Sequence, residues 1–179
     1  MSTKVITGKC RASYVHLFEP HSTNGSDPKY SVSLIIPKSD TENIEKIRAA
    51  IEEAKQSGIT KWNGKIPPNL KMPLRDGDEE RPDDPAFADS YFVNTNSIER
   101  PGIVDRKRVP ITDPTVIYSG CYIRASVNFY PFNTNGNRGI GAGLGNVQFW
   151  EDGEPLNGRI KAENEFDSLE PDDEDDFLS

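Results

Sequence analysis

One stretch of this chain carries rings, a guanidinium and short polar side chains at alternate positions. In residues 121–132, CYIRASVNFYPF, Cys121, Ile123, Ala125, Val127 and Phe129 share one parity and are apolar. Tyr122, Arg124, Ser126, Asn128, Tyr130 and Phe132 share the other. Successive side chains of a strand point to opposite faces. The first set therefore predicts a core face and the second a free one. Flat rings stack on bases and cations meet phosphates, so the free face suits single-stranded nucleic acid. Every base has a π-face, so such a surface need not read sequence. Lys9 and Arg11 on a first strand, and Lys29 and Tyr30 at the start of a second, extend the same chemistry, and Arg138 adds a cation for phosphate. From the residue pattern alone, a small second core covered by Tyr130 and Phe132 competes on even terms.

Other candidates are weaker. Gly139, Gly141, Gly143 and Gly145 leave one strand face bare. They lack the Lys-Ser/Thr of a phosphate loop, so they make room either for a ligand or for bulky neighbours on the paired strand. Arg106-Lys107-Arg108 reads equally as a mobile phosphate-contacting loop or as a solvated one beside Asp105. Trp62, between Lys61 and Lys65, reads better as a core residue at a helix end than as a stacking ring. Catalysis finds little support: His16 and His21 have no partner at ligand spacing, and neither GxSxG nor HExxH occurs. The carboxylates of 76–84 lie on a Pro-rich loop and read as a solvated charge run. No enzyme, metal or cofactor is expected.

The elements that must hold these residues follow from spacing. Residues 3–18 read as one long bent strand with Ile6, Gly8, Cys10, Ala12 and Tyr14 inward. Residues 29–36 read as a second strand with Val32, Leu34 and Ile36 inward, ended by Pro37. A helix over about 40–57 carries Ile44, Ile47, Ile51 and Ala54 as its apolar stripe. Ser39 with Glu42 forms a capping box there, and Gly58 is the stop. Residues 59–89 and 97–119 read as long irregular excursions around a strand at 90–96. Asn135-Gly136 signals a hairpin from 121–132 to 139–150. The sum predicts a mainly β fold: a five-stranded OB-type barrel with one amphipathic helix, long loops and a disordered acidic C-terminal tail. The predicted domains are 1–162, the barrel, and 163–179, the tail.

Charge divides the same way. The chain has 179 residues, 21 Lys and Arg, 29 Asp and Glu, and a net charge of −8. Nine of the acids lie in 163–179, which has no basic residue, so residues 1–162 carry 21 basic against 20 acidic. Seven more acids cluster in 76–89 against Arg81 alone. The rest is basic, as a polyanion-binding body would be. No stretch approaches the roughly 20 apolar residues of a membrane span, and no secretory h-region follows Met1. Two cysteines without CxxC spacing fit a reducing cytoplasm.

The run YSGCYIRASVNFYPFNTNGNRGIGAGLGNVQFWEDGEPL (118–156) resembles the phage-encoded single-stranded DNA-binding proteins long known only as a domain of unknown function. PPNLKMPLRDGDEE (67–80) is similar to the middle region of that family. The resemblance implies an OB fold, sequence-tolerant binding of single-stranded DNA, no catalysis, and a role in phage replication or recombination in the host cytoplasm. The acidic tail, with Asp172, Asp173, Asp175, Asp176, Phe177 and Leu178 at its end, is similar in kind to tails that recruit replication proteins. It differs in ending Phe-Leu-Ser. A homodimer stays open. The competing expectation is a non-enzymatic DNA mimic or virion interaction protein, which would spread its carboxylates over the folded surface.

Overall fold

The computed structural model describes residues 2–22, 25, 27–156 and 169. In chain order the elements are β1 (Lys4–Ile6), β2 (Cys10–His21), β3 (Lys29–Pro37), α1 (Thr41–Ser57), β4 (Leu74–Asp76), α2 (Gly77–Glu80), β5 (Ser90–Ser97), β6 (Ile103–Val104), β7 (Tyr122–Thr134) and β8 (Asn137–Glu151). Single 3-10 turns occupy Ile59–Trp62 and Pro85–Phe87.

Five strands carry the OB-like architecture. β2 pairs with β3, β3 with β5, and β7 with both β2 and β8, all antiparallel. β8 meets β5 in parallel through one bridge, Asn96 to Gly143, so the barrel is only partly open rather than sealed. Beyond the five expected strands and the one amphipathic helix, β1, β4 and β6 add short edge pairings, and α2 is a second, four-residue helix. Val32, Leu34, Ile36, Val93, Ile123, Val127, Phe129 and Leu144 fill the interior.

The expected single strand over 3–18 breaks twice, for tertiary reasons. At Gly8 the backbone N–H donates to Asn43 Oδ1 at 2.9 Å, and Asn43 Nδ2 donates to the Lys9 carbonyl at 3.4 Å. The helix thus pulls the chain out of the ladder. Parity changes across the jog: Val5 and Thr7 are buried, and Ile6, expected inward, is 55% exposed. A second irregularity follows Ser13. Tyr14 adopts φ +50° and points outward, 50% exposed. Bulges re-aim side chains in this way.

The stripe of α1 is buried as expected and packs under β7. Its cap is Asp40, not Ser39: Asp40 Oδ1 accepts from the Asn43 N–H at 3.3 Å. The turn that starts the helix closes at Asp40, whose N–H donates to the Pro37 carbonyl at 3.0 Å. Gly58 ends the helix at φ −88°, so no left-handed cap is involved. Its lack of a side chain is a matter of space, because a Cβ there would lie 2.4 Å from that of Pro131. Trp62 is core, 2% exposed, and its Nε1–H donates to the Phe132 carbonyl at 3.0 Å.

Residues 74–89 are not the loose excursion that their composition suggests. β4 pairs with β5, and Phe87 packs with Ile35 and Phe92 in a second apolar cluster outside the barrel. Several of the acids there, Asp76, Asp78 and Asp84, are structural as well as solvated. Asp76 Oδ1 accepts from the Asp78 N–H, and Asp84 Oδ1 from the Ala86 N–H. Lys38 Nζ sits 3.0 Å from Asp76 and 2.9 Å from Asp78. Asp78, then Asp76, hold the Lys38 ammonium above its ordinary range, and Lys38 holds the Asp78 carboxyl below its own.

Candidate nucleic-acid interface

Four strands lie side by side on one outer surface. Lys4 and Ile6 of β1 stand opposite Asn128 and Ser126 of β7. Arg124, Asn128 and Tyr130 of β7 stand opposite Gln148, Gly143 and Gly141 of β8. Ile103 and Val104 of β6 run beside Val147 and Gln148. The alternation read from 121–129 holds residue by residue: the odd-numbered positions are buried and the even-numbered ones are not.

The middle of this surface is a trough. Gly145 and Asn146 together oppose Ser126, which makes a bulge. Asn146 N–H donates to Ser126 Oγ at 2.8 Å, and a Cβ on Gly145 would lie 2.4 Å from that oxygen. The floor is therefore bare backbone and small polar groups. A cavity of about 290 Å³ opens there, lined in part by Lys4, Ile6, Arg108, Arg124, Ser126 and Asn146. A neighbouring one of about 210 Å³ is lined by Arg106, Arg124, Gln148, Phe149 and Trp150.

Cations stand on both sides. Lys4 lies on one, with Lys46 of α1 donating to the Ile6 carbonyl at 3.1 Å. On the other, the basic cluster 106–108 is a pinned turn. Asp105 Oδ1 accepts from the N–H of Lys107 and of Val109, at 2.8 and 2.9 Å. Gln148 Nε2 donates to the Asp105 carbonyl at 3.1 Å. Arg124 Nε donates to Gln148 Oε1 at 2.7 Å, and its guanidinium lies 6.0 Å from the Trp150 ring centre. A cation and a half-buried ring thus share one end of the trough.

The other expected site residues fall into separate groups. Lys9, Arg11 and Tyr122 come together, but as a built unit. Lys9 is ion-paired with Glu151 and lies 4.7 Å from the Tyr122 ring centre, with Arg11 at 5.9 Å. Arg11 also donates to the carbonyls of Gly120 and Glu154 at 3.2 and 2.6 Å. The Tyr122 ring is a support for cations rather than an open platform. Asn128 Oδ1 accepts from Thr3 Oγ1 at 2.9 Å. Tyr130 and Phe132 lie over the glycines of β8: a Cβ on Gly141 would be 2.4 Å from the Tyr130 ring, and one on Gly139 would be 2.9 Å from that of Phe132. The glycine run makes room for these rings. Arg138 pairs opposite Asn133 near the hairpin end, and its Nε is buried with no hydrogen-bond partner among the described residues.

Lys29 and Tyr30 are not brought to this surface. They open β3, opposite His21 and Ser97. Asp172, Asp173, Asp175, Asp176, Phe177 and Leu178, and the boundary at 162/163, lie outside the described residues. Sequence reasoning missed Lys4 and Trp150 as members of the surface. The signal for Trp150 was the shared parity of Gln148 and Trp150, hidden because the Gly145–Asn146 bulge reverses the alternation set by the glycines.

No helix among the described residues is long and apolar enough to cross a membrane. Nor do three potential metal-ligating side chains converge among them.

Comparison with known proteins finds relatives over nearly the whole chain. The single-stranded DNA-binding protein of bacteriophage Enc34, solved in complex with single-stranded DNA, is similar with a TM-score of 0.75 and 28% identity. That match covers 86% of this chain and 89% of that one. The putative protein p50 of Acyrthosiphon pisum secondary endosymbiont phage 1 is 34% identical over 185 residues, 98% of this chain and 99% of its own length. The single-stranded DNA-binding protein gp2.5 of bacteriophage T7 shares the fold, with a TM-score of 0.60 at 17% identity over 97% of this chain and 93% of its own. The family whose description is "Enterobacter phage Enc34, ssDNA-binding protein" matches residues 3–178, and the chain belongs to that family of phage binding proteins, not enzymes.

Proposed function

We propose that this chain binds single-stranded DNA without strong sequence preference along the β1–β7–β8–β6 trough. It coats and protects single strands during phage DNA replication or recombination in the host cytoplasm. The observation that carries the reading is the pairing of a bare, hydrogen-bonding floor with cations on both walls and Trp150 at one end. Phosphates meet Lys4, Arg106, Arg108 and Arg124, while bases lie on the floor and against the indole. The outer side of β3 and β5 is less suited to a phosphate chain, because the acidic 76–84 segment is folded beside it.

The tail is proposed to act as both competitor and hook. Leu156, the last continuously described residue, donates its N–H to the Ser119 carbonyl, and Glu154 meets Arg11. The described chain thus ends beside Arg11, and residues 157–162 tether the tail, 163–179, to that point. Tethering gives its nine carboxylates a millimolar-order local concentration there. Displaced by DNA, the tail offers Phe177 and Leu178 to replication or recombination proteins.

Salt titration of oligo-dT binding tests both parts. Four phosphate contacts at ~0.7 counterions each predict a log–log slope near ~−3. Removing 163–179 should tighten binding most at low salt and steepen the slope, because screening weakens the competitor as well as the DNA. Binding indifferent to salt contradicts the trough. Equal low-salt affinity with and without the tail contradicts the competitor.

A further inference from the structure

Tyr14 is the residue whose conformation the fold explains least. A bulky residue at positive φ is an outlier, yet Tyr14 sits at φ +50° with its ring half exposed. Backbone strain of this kind persists where the surroundings enforce it, and it clusters at functional sites. Here the surroundings are aromatic. The Arg81 guanidinium lies 5.5 Å from the Tyr14 ring centre and 5.3 Å from those of Phe87 and Phe92. Arg81 Nε is buried with no hydrogen-bond partner among the described residues. Beside the ring, Ser13 pairs with Ser33, and Ser33 Oγ donates to Asn94 Oδ1 at 2.5 Å.

We propose that Tyr14, backed by Arg81, is a second nucleobase platform, separate from the trough, that stacks an unpaired base of the bound strand without gripping its phosphate. The inference rests on the single-strand reading above. The ligand is a flat, uncharged ring for two reasons. The exposed tyrosine face is backed by a cation that polarises it, an arrangement suited to stacking on a π-system. Phosphate is disfavoured, because Arg75 is paired with Glu80 at 3.2 Å and the chain around Arg81 carries Glu79, Glu80, Asp83 and Asp84. The strained backbone holds the ring outward, where an unbulged strand would turn it inward.

The test is oligo-dT binding by the full chain carrying Tyr14→Gly, Tyr14→Phe or Arg124→Ala, each titrated over salt. Glycine accepts positive φ freely, so Tyr14→Gly should melt no lower than the native chain. It should bind ~5-fold or more weaker, as expected for loss of one stacked base, with the salt slope unchanged. Tyr14→Phe should bind normally. Photocrosslinking of 5-iodouracil-substituted oligo-dT should label Tyr14. Native affinity in Tyr14→Gly, or a shallower slope in that variant, overturns the platform. A native slope and affinity in Arg124→Ala overturns the trough and leaves the Tyr14 outcome to stand by itself. Failure of the native chain to bind oligo-dT overturns both.

Discussion

Phe129→Ala should lower unfolding stability by ~3–5 kcal/mol. Phe129 is buried at 1% exposure on the inner face of β7, next to Val127 and opposite Ala142 of β8. Its neighbours are held by two ladders and by α1, so the site has little freedom to collapse into the void. Thermal or denaturant unfolding checks this. A loss below ~1 kcal/mol would mean that the parity of the strand had been assigned the wrong way round, and with it the outer surface on which the binding argument stands.

The second large effect is on binding rather than folding. Trp150→Ala should weaken oligo-dT affinity by ~1–3 kcal/mol, the usual cost of one stacked base, while melting changes little. The indole is only partly buried and its guanidinium neighbour, Arg124, is held independently by Gln148. Affinity measured at one fixed salt, alongside a melting curve, separates the two effects. A large fall in melting temperature with unchanged affinity would make Trp150 a packing residue and leave the trough without its ring. Tyr122 is a poorer probe of stacking, since Lys9 and Arg11 already sit over its ring.

What the sequence reveals depends on whether local pattern or tertiary contact decides. The β7 alternation was legible because both faces obey period two and the buried set is apolar throughout. The stripe of α1 was legible for the same reason at helical period. Strict alternation through Gly8 and past Ser13 predicts Ile6 and Tyr14 inward. The jog at Gly8 is made by Asn43, 35 residues away in sequence, and the bulge at Tyr14 is set among Arg81 and Phe87. Neither partner is visible from the strand itself. β4 and α2 were missed because their acidic, Pro-rich stretch forms regular structure only against β5 and the Phe87–Phe92 cluster. Among site residues, Arg124 was found because it interrupts a hydrophobic run at a fixed parity. Lys4 and Arg108 are brought to it by pairings of β1 and β6 that are only three and two residues long.

The chain has two tryptophans, and they differ in the way the central claim needs. Trp62 is sealed in the core with its Nε1–H bonded to Phe132, whereas Trp150 lines the trough. Titrating the protein with oligo-dT while following tryptophan emission therefore reports on Trp150 alone. Strands lying on the β7–β8 face should quench the native protein's emission in step with binding measured by anisotropy, and Trp150→Phe should bind with the quench abolished. Binding by anisotropy with no change in emission, or a quench that survives in Trp150→Phe, would contradict the account and move the DNA to another face of the barrel.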